Sequence, residues 1–404
     1  MSRTSIASCA AALVTAAALV APAHAQTAYK VGVSGAATGP ASPSYLPHIE
    51  GIRTYLRQLN DKGGINGAKV DVVFVDDKAA PSEAASNAKR LMDDENVLAV
   101  GLMSLSSTYA PMFQAATRTK TPVLLLGQAV CPANAVGPQL NPMVFCGGST
   151  SDPNTAGYWQ IPLVKALATK NGDPLKLALV AADIPVSRQG IDNMEVLAKK
   201  LGIEIADKQA LPLAAADVSG AAARIIASGA TYVTSWAPVT TAVQMLGALR
   251  RQGWNGWYIH NHSAEAEDTL RQLKDPKLVM SPEYAFSVDK LPVFAEIEAA
   301  AKKYGVTVPA DTLALGWASG IILEKALTLC GAGCTREKLA GVLNGLSVET
   351  AGIYPDAVKW SAEDHTRPAS FTAYAWDAKS QTVKRITAWS RVKNGELATV
   401  KVLD

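Results

Sequence analysis

The stretch Val70-Asp71-Val72-Val73-Phe74-Val75, followed directly by Asp76-Asp77, is a clear strand in the sequence. Valine and phenylalanine favour an extended, partly buried chain, and the two aspartates indicate where it ends. On the N-terminal side, residues 49–59 carry apolar side chains at helical spacing, and residues 29–33 form an earlier β-rich run. Strand, helix and strand in this order predict a parallel βαβ unit.

The same alternation continues along the chain and then starts again. Apolar, strand-like runs at residues 98–101 and 122–126 complete a first α/β half. A second half contains strand-like runs at residues 175–180, 232–235 and 257–259, with helical periodicity between them. The sequence therefore predicts an α/β fold of two lobes, each a parallel sheet flanked by helices, with a ligand cleft between them at the carboxyl ends of the strands. The C-terminal runs 371–377 and 382–392 predict a final pair of strands.

Composition narrows the classes of function. The chain has 404 residues, with 38 Lys+Arg against 35 Asp+Glu, and 18% of its residues are charged. A net charge of +3 offers no basic surface for nucleic acid, and this charge content is too low for a disordered chain. The length predicts two or three domains.

Residues 1–25 have the pattern of a cleavable signal peptide. Arg3 precedes an apolar run from residue 6 to residue 20, and residues 23–25 form an Ala-x-Ala site. The alternative, a retained membrane anchor, is disfavoured because the apolar run is short for a bilayer. We expect an exported, periplasmic protein.

Four cysteines follow the predicted signal peptide. Their proximity in sequence predicts disulfides between Cys131 and Cys146 and between Cys330 and Cys334. Two other pairings and buried free thiols remain open.

The loops that follow strands in the first half carry hydroxyl groups. Hydroxyls and unpaired N–H groups at a helix start can bind a carboxylate, although the same residues serve ordinary helix capping. The first loop lacks a G-x-G-x-x-G motif, which argues against a bound dinucleotide. The candidate ligand-binding residues of this half are Ser44, Tyr45, Leu105, Ser106, Ser107, Gln128 and Ala129.

In the second half, the corresponding loops carry aromatic and polar residues. Trp236 and Tyr158 could lie against an apolar or aromatic ligand, or belong to the core. Asn261 and His262 follow the next strand. His260 and His262 alone make a weak metal signal, and we expect neither a metal nor a cofactor.

The sequence contains no nucleophile elbow, Walker loop, kinase signature or cysteine pair at zinc spacing. Asp76 and Asp77 could act as acid and base or bind a cation, but helix capping and loop hydrogen bonds are the simpler interpretation. We therefore expect no enzymatic activity, although a secreted hydrolase with a triad assembled in space remains open.

Several short motifs resemble those of the branched-chain amino-acid binding proteins of bacterial ABC importers, which are type I periplasmic solute-binding proteins. They are Thr38-Gly39-Pro40, Leu59-Asn60-Asp61-Lys62-Gly63-Gly64-Ile65-Asn66-Gly67, Val75-Asp76-Asp77, Ser106-Ser107-Thr108 and Pro122-Val123-Leu124. The resemblance covers nearly all of the chain after the signal peptide and is strongest before residue 130.

The resemblance implies roles for individual residues. Backbone N–H groups and hydroxyls at 105–107 and 128–130 would hold a ligand carboxylate, and Ser187 and Trp236 stand where relatives place tyrosines. Where amino-acid binders hold the ligand ammonium with a glutamate, this chain has residues 260–263, and Glu265 is the nearest carboxylate. Because an unpaired buried ammonium is costly, we expect an aromatic or other non-amino organic acid, with branched-chain amino acids second.

The resemblance also implies a mechanism and a partner. Two lobes, built from residues 26–150 plus 283–353 and from residues 151–282 plus 354–404, would be joined by crossings near 150, 282 and 354 and would close on the ligand. The closed, monomeric protein would dock on a membrane permease. The alternative is a ligand-binding component of a sensory receptor or two-component system.

Overall fold

The computed structural model describes residues 28–126, 131–148, 158–213, 215, 217–261, 266–368, 370–391 and 399–403. Strands and helices alternate first around a five-stranded sheet and then around a seven-stranded sheet. The predicted α/β fold with two helix-flanked sheets is confirmed. The predicted signal peptide lies outside the described residues.

The first segment contains β1 (Ala28–Gly35), α1 (Ser42–Asp61), β2 (Lys69–Asp76), α2 (Pro81–Ala88), β3 (Val100–Met103), α3 (Tyr109–Thr119), β4 (Val123–Leu125) and β5 (Val144–Cys146). The second contains α4 (Gln160–Asn171), β6 (Lys176–Ala182), α5 (Pro185–Lys200), β7 (Glu204–Leu211), α6 (Ser219–Ala227), β8 (Tyr232–Trp236), α7 (Val239–Arg251), β9 (Trp257–Asn261), α8 (Ala266–Leu273) and β10 (Leu278–Ser281). The rest contains α9 (Pro292–Tyr304), α10 (Ala314–Cys330), α11 (Arg336–Leu343), β11 (Ser347–Val348), β12 (Val358–Lys359), β13 (Ser370–Phe371), β14 (Tyr374–Asp377), β15 (Thr382–Arg385) and β16 (Ser390–Arg391).

Both large sheets reverse their strand order once. The first has the order β2-β1-β3-β4-β5, with parallel neighbours throughout. The second has the order β15-β14-β10-β9-β8-β6-β7, in which β14 and β15 form the predicted antiparallel pair at one edge. Chain order therefore reverses between β1 and β3 and between β6 and β8. Each reversal opens a crevice at the carboxyl ends of those strands.

Two glycines bring α1 and α10 into direct backbone contact. A methyl group on Gly51 would lie 2.3 Å from the carbonyl oxygen of Leu313, and one on Gly316 would lie 2.0 Å from that of His48. Neighbouring rings complete the contact, with Tyr55 edge-on to Trp317 at 5.0 Å. The late helix α10 therefore belongs to the same packed body as the first βαβ unit.

One described helical stretch, Ala310–Cys330, is long and apolar enough to cross a membrane. Within the structure, 72% of its apolar window is buried. Its packing against α1 accounts for this composition, because a core helix is apolar on most of its surface.

Both predicted disulfides are present. Cys131 is bonded to Cys146, and Cys330 to Cys334. The first closes a loop with a sequence separation of 15 residues and fixes the end of β5, and the second closes one of 4 residues after α10.

The two disulfides should differ in their contribution to stability. Cross-linking a longer loop removes more entropy from the unfolded chain, about 3 kcal/mol for the first bridge and about 2 kcal/mol for the second. We expect the Cys131→Ser/Cys146→Ser protein to lose about 1 kcal/mol more free energy of unfolding than the Cys330→Ser/Cys334→Ser protein. Urea denaturation of the two proteins measures the difference, and an equal loss would contradict the loop-length argument.

A C-terminal stretch returns to the edge of the first sheet. The backbone N–H of Cys146 donates to the carbonyl oxygen of His365 at 2.8 Å, and the indole of Trp360 donates to that of Cys146 at 3.0 Å. The His365 ring stacks on Phe145 with centroids 4.0 Å apart. The chain from β12 to Arg367 therefore lies against β5 before it enters the second sheet.

Candidate functional site

The two crevices face each other across a small apolar cluster. Its members follow or end β1, β3, β6 and β8, or lie at the start of α1, and so surround both reversals of strand order. All are at most 7% exposed. The buried residues of this cleft cluster are Ala36, Ala41, Leu105, Ala182, Ile184 and Ala237.

Two aspartates at the end of β2 organise the loops beside this cluster. The Asp77 carboxylate accepts hydrogen bonds from the hydroxyls of Ser34, at 3.1 Å, and Ser104, at 2.6 Å, and from the N–H of Ala79, at 2.9 Å. The Asp76 carboxylate accepts from the hydroxyl of Thr38 at 2.5 Å and from neighbouring N–H groups. The simpler interpretation of this pair, as loop hydrogen-bonding groups, matches the geometry.

The surroundings move the pKa values of the two carboxyls in opposite directions. Burial raises the pKa of Asp77 above its usual value, although hydrogen bonds from Ser104, Ala79 and Ser34 oppose the change. Burial also acts to raise the pKa of Asp76, but the hydrogen bonds from Thr38 and the backbone outweigh it and lower that pKa. Both carboxylates therefore stabilise the surrounding backbone through hydrogen bonds.

Removing the Asp77 carboxylate should therefore loosen the end of β1 and the loops after β2 and β3 together. We expect Asp77→Ala to lower the free energy of unfolding by about 2 kcal/mol, because buried hydroxyl and N–H partners lose their acceptor. Asp183→Ala is the matched control, since Asp183 also follows a strand but pairs with Arg188 at the surface, and it should change stability little. Thermal denaturation compares the variants, and equal effects would contradict this role of Asp77.

The two sheets contact each other beside the cleft cluster. The N–H of Val186, in α5, donates to the Ser106 hydroxyl at 3.3 Å. Farther along the interface, the Arg271 guanidinium of α8 lies 2.6 Å from the Asp311 carboxylate before α10. In both contacts, one residue belongs to the body built around the first sheet and the other to the body built around the second sheet.

The structure brings the predicted residues of the first half together around the cleft cluster. Leu105 belongs to the cluster, and Tyr45 packs against it. Ser44 is 8% exposed, and its hydroxyl has no hydrogen-bond partner among the described residues. The Ser107 hydroxyl donates to the carbonyl oxygen of Ala79 at 3.0 Å. Gln128 and Ala129 lie outside the described residues.

The predicted residues of the second half divide between the cleft and the core. Ser187 is buried in the first turn of α5, next to Val186, which packs against the cleft cluster. Asn261 accepts a hydrogen bond from the N–H of Ala237 at 3.3 Å, so it holds the loop after β8. Trp236 is 4% exposed and packs with Tyr158, at 5.5 Å between ring centroids, in the core beneath α5.

His262 lies outside the described residues. His260 is buried, and its Nδ1 lies 2.8 Å from the Ser235 hydroxyl. Within the described part of the chain, no group of three or more His, Cys, Asp or Glu side chains is placed to hold a metal ion.

The small apolar members of the cleft cluster are not among the residues predicted to bind the ligand. Ala36, Ile184 and Ala237 stand in loops that were recognised as following strands, but only their polar and aromatic neighbours were chosen. The signal that could have found them is strand order, because residues directly after strands at a reversal face the crevice whatever their type.

Comparison with known proteins agrees with this geometry. A model of the family described as "Periplasmic binding protein" matches residues 28–381. A Pseudomonas aeruginosa protein named "Amino acid binding protein" is 23% identical over 363 residues, covering 89% of this chain and 92% of its own.

Two solved structures are similar in fold. A fatty acid ABC transporter substrate-binding protein from Thermomonospora curvata has a TM-score of 0.76 at 18% identity, covering 93% of this chain and 95% of its own. An ABC transporter solute-binding protein from R. palustris, in complex with 4-hydroxybenzoate, has a TM-score of 0.74 at 18% identity, covering 93% and 97%.

Two helix-flanked sheets whose parallel strands face each other at their carboxyl ends are typical of two-lobed solute-binding proteins. The chain belongs to the type I periplasmic binding protein family, as its resemblance to branched-chain amino-acid binding proteins predicted. Members of this family bind small solutes outside the cytoplasm and deliver them to ABC permeases, which is a transport role and not an enzymatic one.

Proposed function

We propose that this protein is the solute-binding component of an ABC importer that captures a small organic carboxylate by closure of its two lobes. The cleft cluster carries the proposal, because it gathers the ends of β1, β3, β6 and β8 at one apolar surface. Such a surface suits the apolar body of a ligand, and open α/β sheets bind ligands at this edge.

The charges beside the cleft favour a ligand without an ammonium group. Of the described carboxylates near the cluster, Asp76 and Asp77 are occupied by loop hydrogen bonds and Asp183 by Arg188. Among the described residues, an ammonium group would have to be desolvated there without an acidic partner, and Glu265 lies outside them. This supports an aromatic or other non-amino acid over a branched-chain amino acid.

Polar groups at the same edge favour a carboxylate. The buried hydroxyl of Ser44 lies in the first turn of α1, whose N-terminus has no side-chain cap. A hydroxyl at a helix start can bind an anion, which the positive end of the helix dipole also favours. The 4-hydroxybenzoate of the R. palustris protein and the fatty acid of the Thermomonospora curvata protein both combine a carboxylate with an apolar body, the combination that we propose here.

A thermal-shift panel with matched solute pairs tests the proposal. 4-Hydroxybenzoate is paired with 4-hydroxybenzyl alcohol, which lacks the carboxylate, and leucine with 4-methylpentanoate, which lacks only the amino group. We expect the acids without an amino group to stabilise the protein most, by about 2.7 kcal/mol when the solute is at 100 times its Kd.

Two results of the panel would contradict the proposal. Stabilisation by leucine but not by 4-methylpentanoate would establish an ammonium site and an amino-acid ligand. Equal stabilisation by the alcohol and the acid would remove the carboxylate from recognition.

We further propose that the protein is exported by the signal peptide at residues 1–25 and acts as a monomer in the periplasm. The lobes would consist of the segments predicted from the sequence, with one adjustment. Because the chain from β12 to Arg367 lies against β5, we place the third crossing after Arg367, later than the predicted position near 354.

A further inference from the structure

One arginine lies where all three crossings between the sheets come together. Arg367 ends the stretch that runs along β5, and the chain enters β13 three residues later. The first crossing begins at Gly147, directly after β5, and the second begins after β10.

The Arg367 guanidinium contacts each crossing. Its Nε donates to the carbonyl oxygen of Gly147 at 2.6 Å, and its Nη2 forms an ion pair with the Glu283 carboxylate, two residues after β10. Its Cζ lies 4.4 Å from the ring centroid of Tyr354. The backbone N–H of Arg367 donates to the carbonyl oxygen of Gly148 at 2.9 Å. One side chain thus joins the starts of the first two crossings to the segment that leads into the third.

This ion pair is removed from solvent. The side chains of Arg367 and Glu283 are 2% and 1% exposed. The remaining guanidinium nitrogen, Nη1, donates to the carbonyl oxygen of Pro368 at 3.1 Å, so every nitrogen of the group has an acceptor. A buried ion pair with an acceptor for each guanidinium nitrogen resists separation, because losing either partner leaves an uncompensated charge.

The contacts of Arg367 restrain a part of the first crossing that would otherwise be free to bend. Cys146 is held by its disulfide and by Trp360, whereas Gly147 and Gly148 follow directly and have the widest backbone freedom of any residue. Arg367 holds the carbonyl oxygens of both glycines. While these hydrogen bonds hold, Gly147 and Gly148 therefore cannot act as the hinge when one lobe rotates against the other.

We propose that Arg367 is a positioning residue for lobe closure, which joins the three crossings into one pivot and so sets the ratio of open to closed protein without contacting the solute. This inference rests on the proposed function, because it requires that the two lobes move. Closure by hinge motion depends on a few residues that absorb the change in backbone angles, and here a single ion pair limits which residues can do so.

Distances between spin labels test the pivot without any ligand. The labels are placed on exposed positions of opposite sides, Ala85 in α2 and Val196 in α5, and the distance distribution is recorded by double electron–electron resonance. We expect Arg367→Lys and Glu283→Gln to change the ratio of long to short distances at least two-fold.

Arg250→Lys is the matched control. Arg250 pairs with Asp275 at 2.7 Å and lies 5.0 Å from the Trp254 ring, so it has the same chemistry away from the crossings. We expect this variant to keep the wild-type distance distribution. Glu283→Gln disturbs the same ion pair from its other side, and it carries the test alone if Arg367→Lys does not fold.

The inference would be overturned if folded Arg367→Lys and Glu283→Gln gave the wild-type distance distribution. It would also be overturned if Arg250→Lys changed that distribution as much as they do. If the wild type also gives one distance that no stabilising solute changes, the proposed closure fails together with the pivot. If solute changes the wild-type distance but the pivot variants match the wild type throughout, the inference alone fails.

Discussion

Replacing Gly316 by alanine is expected to lower the free energy of unfolding by more than about 3 kcal/mol. The added methyl group would lie 2.0 Å from the carbonyl oxygen of His48 and 2.7 Å from the amide nitrogen of Ile52. Both atoms belong to the backbone of α1, so no side-chain rotation relieves the overlap and the two helices must separate. Guanidinium denaturation followed by circular dichroism measures the loss.

Gly341→Ala is the control for this substitution. Gly341 lies on the exposed side of α11, and no atom lies within 4 Å of the place that a methyl group would take. Alanine favours a helix over glycine by about 0.8 to 1 kcal/mol, so this variant should be slightly more stable than the wild type. Wild-type stability of Gly316→Ala would show that α1 and α10 are farther apart than described here.

Replacing Leu105 by aspartate is expected to weaken binding of the stabilising acid by more than about 100-fold. Leu105 is 5% exposed in the cleft cluster, between the loops of the two sheets. A carboxylate there would lose its hydration when the lobes close, and it would repel an anionic solute. Isothermal titration calorimetry gives the change in Kd.

The same substitution at an exposed leucine separates this effect from a general change of charge. Leu273, at the end of α8, is 40% exposed. Leu273→Asp should keep the wild-type Kd, and circular dichroism checks that both variants are folded. Unchanged affinity in folded Leu105→Asp would place the solute away from the cleft cluster.

The alternation of the fold could be predicted because most strands are buried on both faces. Residues 122–126 and 175–180 form the apolar runs that a parallel sheet between helices requires, and they overlap β4 and β6, whose residues are almost all buried. By contrast, β7 at the edge of its sheet was missed. Its sequence carries Glu204, Asp207 and Lys208, which an edge strand tolerates because one side faces solvent.

The cleft itself was predicted less completely than the fold. Hydroxyl and aromatic side chains were chosen after the strands because they suggest recognition, and Leu105 and Tyr45 do lie at the cluster. Trp236 illustrates the difficulty, since its side chain points from the last residue of β8 into the core and its neighbour Ala237 reaches the cleft. Alternation along a strand decides which of two neighbours faces which side, and one-residue differences in register cannot be read from loop composition.

The contacts of Arg367 could not have been found from the sequence. They join residues more than 80 and more than 200 positions apart, namely Glu283 and Gly147. The short bridge between Cys330 and Cys334 was predictable for the opposite reason, since its partners are neighbours in the chain.

Small-angle X-ray scattering during titration with the best stabilising acid measures lobe closure on a bound solute, and analysis of the recovered acid shows whether the protein has altered it. We expect the radius of gyration to fall to a plateau as the solute saturates the protein, and the acid to be recovered chemically unchanged. A constant radius at saturation, or consumption of the acid, would contradict this expectation.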